Sequence, residues 1–336
     1  MSSLHISALS QKKDMIRLRA ALIKGIRSFF DRQGFLEVDT PILVRCPGME
    51  PQITAFETTF EAQTRYLHTS PEYAMKRLLA AGYTKIFQLC KTFRDEPIGK
   101  MHNPEFTMLE WYRAGADYTD IMHDTEHLIA SLATDLFQSP TLHYSNHTID
   151  LTPPWTRLSV CNALIQYAQI SANPFTQTEL FIRQARERGH TQVNQTDSAD
   201  IAFFKVFLDS VEKQLGTRKP TFLIDYPASM AALAKRQKKA PHLAERFELY
   251  IAGLELANAF TELTDPDEQR ARFHEEQEQR RTENSPVYPM DKMFLGALQD
   301  GMPPSGGIAL GVDRLLMLFG QVSSIQDVIA FPFPTL

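Results

Sequence analysis

The chain has 336 residues, 43% of them hydrophobic, a formal net charge of −5 and three cysteines. That length and apolar content supply a sizeable core and exclude a largely disordered chain. No apolar run is long enough to span a bilayer, and Cys46, Cys90 and Cys161 have no spacing that fits a disulfide framework or a zinc site.

The first residues, MSSLHISALSQKKD, lack the apolar stretch of a signal peptide, so a cytoplasmic protein is expected. The mild acidity argues against a large nucleic-acid footprint. Residues 14–33 carry Met15, Leu18, Leu22, Ile26, Phe29 and Phe30 on one side of a predicted helix, and Gly34 is placed to end it. FLEVDTPIL reads as a strand stopped by Pro41. TSPEYAMKRLLAAGY reads as a helix with Ser70 as N-cap, Pro71 in the first position, Glu72 at the positive start and Gly82 at the end. KIFQLCKTF and PEFTMLEWY read as strands. Helices are expected over 117–138, 159–170, 176–188 and 200–215. PTFLIDYP, ERFELYI and LELANAF read as strands, the last two turned at Ala252-Gly253. A charged helix over 266–282, capped by Asp265, precedes a Gly-rich turn, a helix from Val312 to Phe319 and a final strand in DVIAFPF. Strands, then helices, then strands again predict an α+β fold: an antiparallel sheet with flanking helices and a helical insertion over roughly 114–215, all one domain over 1–336.

FRDEPIGKMHNPEFTMLEWY, residues 93–112, carries chemistry. In a strand over PEFTMLEWY the side chains alternate, so Phe106, Met108, Glu110 and Tyr112 share one face. A hairpin brings Arg94 to the same surface, and a planar guanidinium there suits a phosphate. A half-buried sheet with an incidental salt bridge is an equal alternative from this stretch alone. GGIALGVDRLLMLFG sets three glycines and Arg314 at a helix start, which favours an anion. ERFELYIAGLELANAFTEL places Glu248, Glu255 and Glu262 around a hairpin, where acids hold magnesium or an ammonium group. Glu255 and Glu262 are seven residues apart, so a regular strand points them to opposite faces, and a bulge is expected between Ala257 and Phe260. KRQKK at 235–239 reads as a solvated loop before it reads as a docking patch.

These segments together resemble class II aminoacyl-tRNA synthetases of the lysyl type. GFLEVDTPIL, FRDE with HNPEFTMLEWY, and GIALGVDRLLML are similar to that family's three motifs, and TSPEYAMKRLL and GLELANAFTEL to its lysine-binding segments. The similarity extends to the truncated paralogues that modify elongation factor P. It implies an ATP-dependent enzyme using Mg2+ that activates lysine or β-lysine as an adenylate. The implied acceptor is a lysine side chain of elongation factor P, and the implied state is a homodimer built on residues 15–43. The anticodon-binding barrel of the tRNA-charging enzymes finds no room before the first helix, so no anticodon contact is expected. A small tRNA-charging enzyme and a non-catalytic lysine or nucleotide sensor are the alternatives. Residue by residue, the resemblance gives Arg94 the α-phosphate, Asp95, Glu96 and Asn103 the adenosine end, Phe106 the adenine face and Leu256 a place beside it. Arg314 next to Gly311 meets the γ-phosphate, and Glu248 and Glu255 hold the metal. Ser70, Pro71 and Glu72 serve the amino-acid end of the substrate, together with Asn258. Glu110, Tyr112 and Glu262 receive the side-chain ammonium. Ala257, Ala259 and Ala309 depart from the family's usual glycines, and Ala309 is expected to bias the site toward β-lysine.

Overall fold

A computed structural model describes residues 2–335. Its helices are α1 (Ser2–Gln11), α2 (Lys13–Arg32), α3 (Glu72–Ala80), α4 (Tyr118–Phe137), α5 (Val160–Ala163), α6 (Thr178–Glu187), α7 (Ala199–Val206), α8 (Pro266–Thr282), α9 (Lys292–Asp300), α10 (Val312–Phe319) and α11 (Ile325–Val328). Its strands are β1 (Leu36–Glu37), β2 (Leu43–Val44), β3 (Glu57–Phe60), β4 (Gln63–Leu67), β5 (Lys85–Phe93), β6 (Glu105–Ala114), β7 (Thr141–Tyr144) and β8 (His147–Asp150). They continue with β9 (Thr156–Ser159), β10 (Thr221–Ile224), β11 (Arg246–Ile251), β12 (Leu254–Thr261) and β13 (Ser305–Gly311).

Eight strands form the main sheet in the order β1-β5-β6-β13-β12-β11-β10-β9. Its inner pairs are antiparallel, and only β1 on β5 and β9 on β10 are parallel. The fold is α+β with flanking helices, as the strand–helix–strand order predicts. One face of the sheet carries Leu109, Trp111, Ala259, Ile308 and Leu310, which bury against α2, α4 and α10 in the largest core cluster. The other face is left for the site. Within the stretch expected to be a helical insertion, α4 belongs to this main core, whereas residues from Val160 onward form a separate cluster with Phe181, Phe203 and Tyr250.

Several local signals act as read. Asp265 accepts amide hydrogens from Asp267 and Glu268 and starts α8 with Pro266 behind it. The helix expected over 117–138 forms as α4, started by a capping box of Asp117 and Asp120 that the sequence reading did not name. α3 begins at Glu72, one residue later than expected, with the Ser70 hydroxyl still accepting the Glu72 amide hydrogen. Others do not. The Gly-rich segment 305–311 is a central strand, not a turn. A Cβ at Gly306 would lie 2.7 Å from Ile121 and 2.8 Å from the Asp117 carbonyl, so the strand is flat there because α4 crosses it. The helices over 159–170 and 200–215 break into short α-turns followed by π-turns at 164–168 and 207–211.

The final strand in DVIAFPF is absent: α11 occupies Ile325–Val328, and a short 3₁₀ turn follows at Phe333–Thr335. Ser324 caps α11, and Pro332 and Pro334 have no N–H to give a ladder. The segment's carbonyls go to side chains instead. Lys12 Nζ donates to Gln326 and Ile329, and Arg19 to Val328.

Candidate active site

A cleft of about 690 Å³ opens on the sheet face opposite the main core. Strand alternation on β6 turns Phe106, Met108, Glu110 and Tyr112 into it, as expected. β12 contributes Glu255, Leu256 and Asn258 to the same cleft, and Glu262 follows directly after its last residue. The register explains how. Leu249 pairs with Ala257 but Tyr250 pairs with Glu255, which leaves Leu256 as an extra residue. The bulge therefore exists, but at Leu256, before the expected interval of Ala257 to Phe260. From Ala257 to Thr261 the pairing with β13 is regular. One inserted residue turns an odd separation into an even one, so both acids face the cleft.

Two charge environments divide the cleft. At one end, Arg314 donates from Nη1 to the Glu255 carbonyl at 2.8 Å, and its Nη2 lies 3.1 Å from His102 Nε2. Burial first, and then Arg314, push His102 below its usual range, so the ring accepts there as a neutral imidazole. Glu96 stands 3.9 Å from the same ring nitrogen. The Arg94 guanidinium lies 5.3 Å from the centre of the Phe106 ring, and its buried Nε has no hydrogen-bond partner among the described residues. Glu248 is held from three sides: Arg246 at 2.6 Å, Tyr226 at 2.5 Å and Tyr250 at 2.7 Å. Glu255 is pushed up to about 7, by burial and then by Glu248. Two neighbouring carboxyls beside two arginines make a seat for a cation shared with phosphate oxygens. No group of three or more metal-binding side chains exists among the described residues. Glu248 and Glu255 still suit Mg2+, because that ion takes few protein carboxylates and completes its shell with water and substrate phosphates.

At the other end, acids dominate. Tyr112 donates to Glu110 Oε1 at 2.6 Å and Ser70 to Oε2 at 2.8 Å. Even so, burial and the neighbouring Glu72 push Glu110 up to about 8. Lys76 is fully buried, with Nζ 2.6 Å from Glu72 Oε1 and 2.5 Å from Glu262 Oε2. Glu262 is pushed up to about 7, mainly by burial, and its Oε1 has no hydrogen-bond partner among the described residues. A Cβ on Gly307 would lie 2.2 Å from the Tyr112 ring and 2.4 Å from Glu262 Oε1. Glycine is required there to leave room for the two groups. At Gly311 the protein imposes no such demand, since the nearest atom to a Cβ is 3.8 Å away. A glycine with free space beside it, at the start of α10 and next to Arg314, fits the close approach of a ligand. Ala309 sits between its β6 and β12 neighbours, Glu110 and Asn258, and lines the cleft.

Of the residues read from sequence, two lie outside the cleft. Asp95 is exposed, with its amide hydrogen given to the Thr54 carbonyl, and Pro71 is buried beneath the start of α3. The chain alternates at Arg94–Glu96, so Asp95 turns away when its neighbours face in. Asn103 does line the cleft, but Nδ2 donates to the Glu105 carbonyl and Oδ1 accepts from the Phe333 amide, so it anchors the C-terminal turn. Lys76, Gly307, His102, Arg246, Glu50 and Glu276 were missed. Lys76 was legible as the i+4 partner of Glu72 on a helix; the others needed the fold.

The acids give the apoprotein a pH signature. Glu110, Glu255 and Glu262, and also Glu50 and Glu276, hold protons when folded at pH values where the unfolded chain has lost them. The folded state then binds more protons, so stability falls as pH rises from about 4.5 towards 8. His68 and His102, lowered by burial, act oppositely below about pH 6.5, but there are only two of them. The expected result is a melting temperature that drops between pH 6.5 and 8. A cationic ligand should restore more stability at pH 8 than at pH 6. Differential scanning fluorimetry across that range checks both.

A second groove, of about 840 Å³, runs along α2 beside Leu67, Leu89, Phe93 and Ile329. Its two arginines, Arg19 and Arg27, are already paired with Asp313 and Glu37, and it lacks the facing acids of the cleft.

Relatives agree with the geometry. The chain matches the family model "tRNA synthetases class II (D, K and N)" over residues 2–335. It is 40% identical to lysine–tRNA ligases of Pelotomaculum thermopropionicum and Thermosynechococcus vestitus, over 95% and 96% of its length, and 36% identical to that of Magnetococcus marinus. The alignments cover 63% of the first two relatives and 64% of the third, so the chain spans under two thirds of their length. With the α+β sheet, the three motif segments on its strands and the match over nearly all residues, the chain belongs to the class II tRNA synthetases of the D, K and N group.

Proposed function

We propose that the protein is an ATP-dependent, AMP- and pyrophosphate-forming ligase that activates (R)-β-lysine, or lysine, and transfers it to a lysine side chain of elongation factor P. The observation that carries the amino-acid part is the buried pocket of Glu72, Glu110 and Glu262, with Lys76 paired to two of the three acids, which opens beside Arg94 and Arg314. A ligand with a long ammonium-tipped side chain satisfies those acids. A neutral side chain would leave Glu110 and the free Oε1 of Glu262 without a cationic partner. The acceptor part rests on the resemblance to the paralogues that modify this factor; Ala257 and Ala309, in place of glycine at the cleft, bear on which amino acid is taken, whereas Ala259 packs on the core face.

In this reading the ammonium of the side chain lies among Glu110, Tyr112 and Glu262, and Glu72 meets the amine nearer the carboxylate. Arg94 holds the α-phosphate, Phe106 stacks on adenine, Glu96 faces the adenosine end, and Arg314 meets the γ-phosphate over Gly311. Mg2+ held at Glu248 and Glu255 would offset phosphate charge. A substrate carboxylate oxygen attacks the α-phosphorus in line, and pyrophosphate leaves. The acceptor amine then attacks the acyl carbon, loses a proton, and AMP leaves as the amide forms. Positioning and electrostatics suffice, and no protein nucleophile is used.

The relatives' names favour a second reading, in which tRNA is the acceptor. Incubation with ATP, each lysine isomer, and either elongation factor P or tRNA separates the two. The expected result is a lysine-sized mass addition on the factor and little tRNA charging. Efficient tRNA charging with an unmodified factor would overturn the acceptor assignment.

Ala309 supplies a test of isomer choice. It adds one methyl group between Glu110 and Asn258, and a misfit of that size is worth about 1–3 kcal/mol. Wild type should form the adenylate of β-lysine in preference to α-lysine, and Ala309→Gly should gain activity with α-lysine. Equal isomer ratios in the two proteins would remove Ala309 from specificity.

The protein is also proposed to be a two-fold homodimer through α2 and its apolar groove, flanked by the exposed Leu36, Ile42 and Leu43. Light scattering at micromolar concentration should give twice the chain mass of 38.3 kDa; a monomer alone would refute it.

A further inference from the structure

Two half-buried glutamates at the cleft wall have no task in the scheme above. Glu50 sits in the loop between β2 and β3, and Glu276 on α8; both line the cleft. Oε2 of each is shut off from solvent and has no hydrogen-bond partner among the described residues. Burial raises both, with Glu72 adding to Glu50, and Glu50 and Glu72 adding to Glu276, which reaches about 8.

Their placement is enforced. Arg280, one helical turn after Glu276, is fully buried and donates to the carbonyls of Met49, Glu50 and Ile53, which ties this loop to α8. The Met49 amide hydrogen goes to the Tyr73 hydroxyl on α3, beside Glu72. Gly48 leaves the space in which the Glu50 carboxylate lies: a Cβ there would stand 2.4 Å from Glu50 Oε2. An arginine spent wholly on backbone carbonyls, and a glycine vacated for a carboxylate, hold an unpaired acid in place. Such an arrangement costs stability unless a cation completes it.

We infer that Glu50, backed by Glu276, is a specificity-determining residue that takes the ammonium group a substrate carries near its carboxylate, beside Glu72. This rests on the lysine-type reading of the cleft and deepens it. The side-chain ammonium is already served by Glu110 and Glu262 across the pocket. A second acidic seat, reached from a different loop, gives the amine at the carboxylate end a partner whose position depends on which carbon bears it. Glu50 thus acts on isomer choice independently of Ala309, which works by volume from the sheet.

The test is equilibrium dialysis of the full chain with (R)-β-lysine, α-lysine and 6-aminohexanoate, which has the tail ammonium and carboxylate but no second amine. Glu50→Gln should weaken (R)-β-lysine by roughly ten- to a hundredfold, from loss of a charge-assisted contact. It should leave 6-aminohexanoate unchanged. Glu50→Asp, which keeps the charge but draws it back by one carbon, should alter the ratio of the two lysine isomers. If Glu50→Gln does not fold, Glu50→Asp and Glu276→Gln carry the test, the latter with a smaller loss in the same direction. Equal loss for all three ligands, or an unchanged isomer ratio in Glu50→Asp, would overturn the assignment. Wild type that binds none of the three would instead sink the lysine-type reading itself.

Discussion

Arg94→Ala is expected to lower kcat/KM for lysine-dependent ATP–pyrophosphate exchange by about a thousandfold or more, with the protein still folded. In the proposed reaction, charge spreads onto the α-phosphate oxygens as the carboxylate attacks. A positioned donor to that charge is worth about 10²–10³ in rate, and a bidentate guanidinium stands at or above that range. The folded state has little to lose. The Arg94 amide hydrogen goes to the Pro104 carbonyl whatever the side chain, and the guanidinium's visible partner is the Phe106 ring at 5.3 Å. That contact is worth about 0.5–1 kcal/mol at a partly open site. Its charge also lowers Glu50 and Glu255 slightly, so the variant should show a modest further rise in those two groups. Exchange at near wild-type rate would show that the cationic end of the cleft does not meet the α-phosphate, and the synthetase-type chemistry would fall with it.

The parts of this site legible in sequence are those that obey a local period. Phe106, Glu110 and Tyr112 share a face because β6 is regular, and Asp265 starts a helix because capping is a contact over two or three residues. The bulge could be demanded from sequence, since two acids were wanted on one face, but not placed. Its position at Leu256 depends on how β11 pairs, and that is a long-range register. The last strand failed because DVIAFPF has the right apolar content but Pro332, inside it, and Pro334, just after it, cannot donate to a ladder. Its carbonyls are taken by Lys12 and Arg19, more than 300 residues earlier in the chain. Gly307 looked like part of a turn, and only the crowding of Tyr112 and Glu262 shows why a strand carries it. Glu50 gave no signal at all. Nothing in PGMEPQIT marks a loop whose backbone carbonyls Arg280 holds at the cleft wall.

Lys76→Met should have the largest effect on stability of any single change in the pocket. The lysine is fully buried and contacts Glu72 and Glu262, while Glu110 stands close to Glu72. Those two acids hold its pKa above the usual lysine value against the opposing pull of burial. Methionine fills similar space without the charge, so packing is largely kept and the electrostatic loss is isolated. Breaking a buried pair by removing one partner costs about 3–5 kcal/mol, because the remaining charge has nowhere to go. Here two carboxylates lose their cation. Glu262, already raised in the folded state, rises further above its unfolded value near 4.5 and escapes by taking a proton, so the deficit is small near pH 5 and grows as pH increases towards 8. The expected result is a variant close to wild type in melting temperature at pH 5 and well below it at pH 8. Saturating lysine should recover part of the loss at pH 8, since its ammonium enters the same group of acids. A pH-independent deficit would mean that Lys76 matters by packing alone, against Phe294 at 5.7 Å, and that the acids around it are not the cation-binding pocket proposed here.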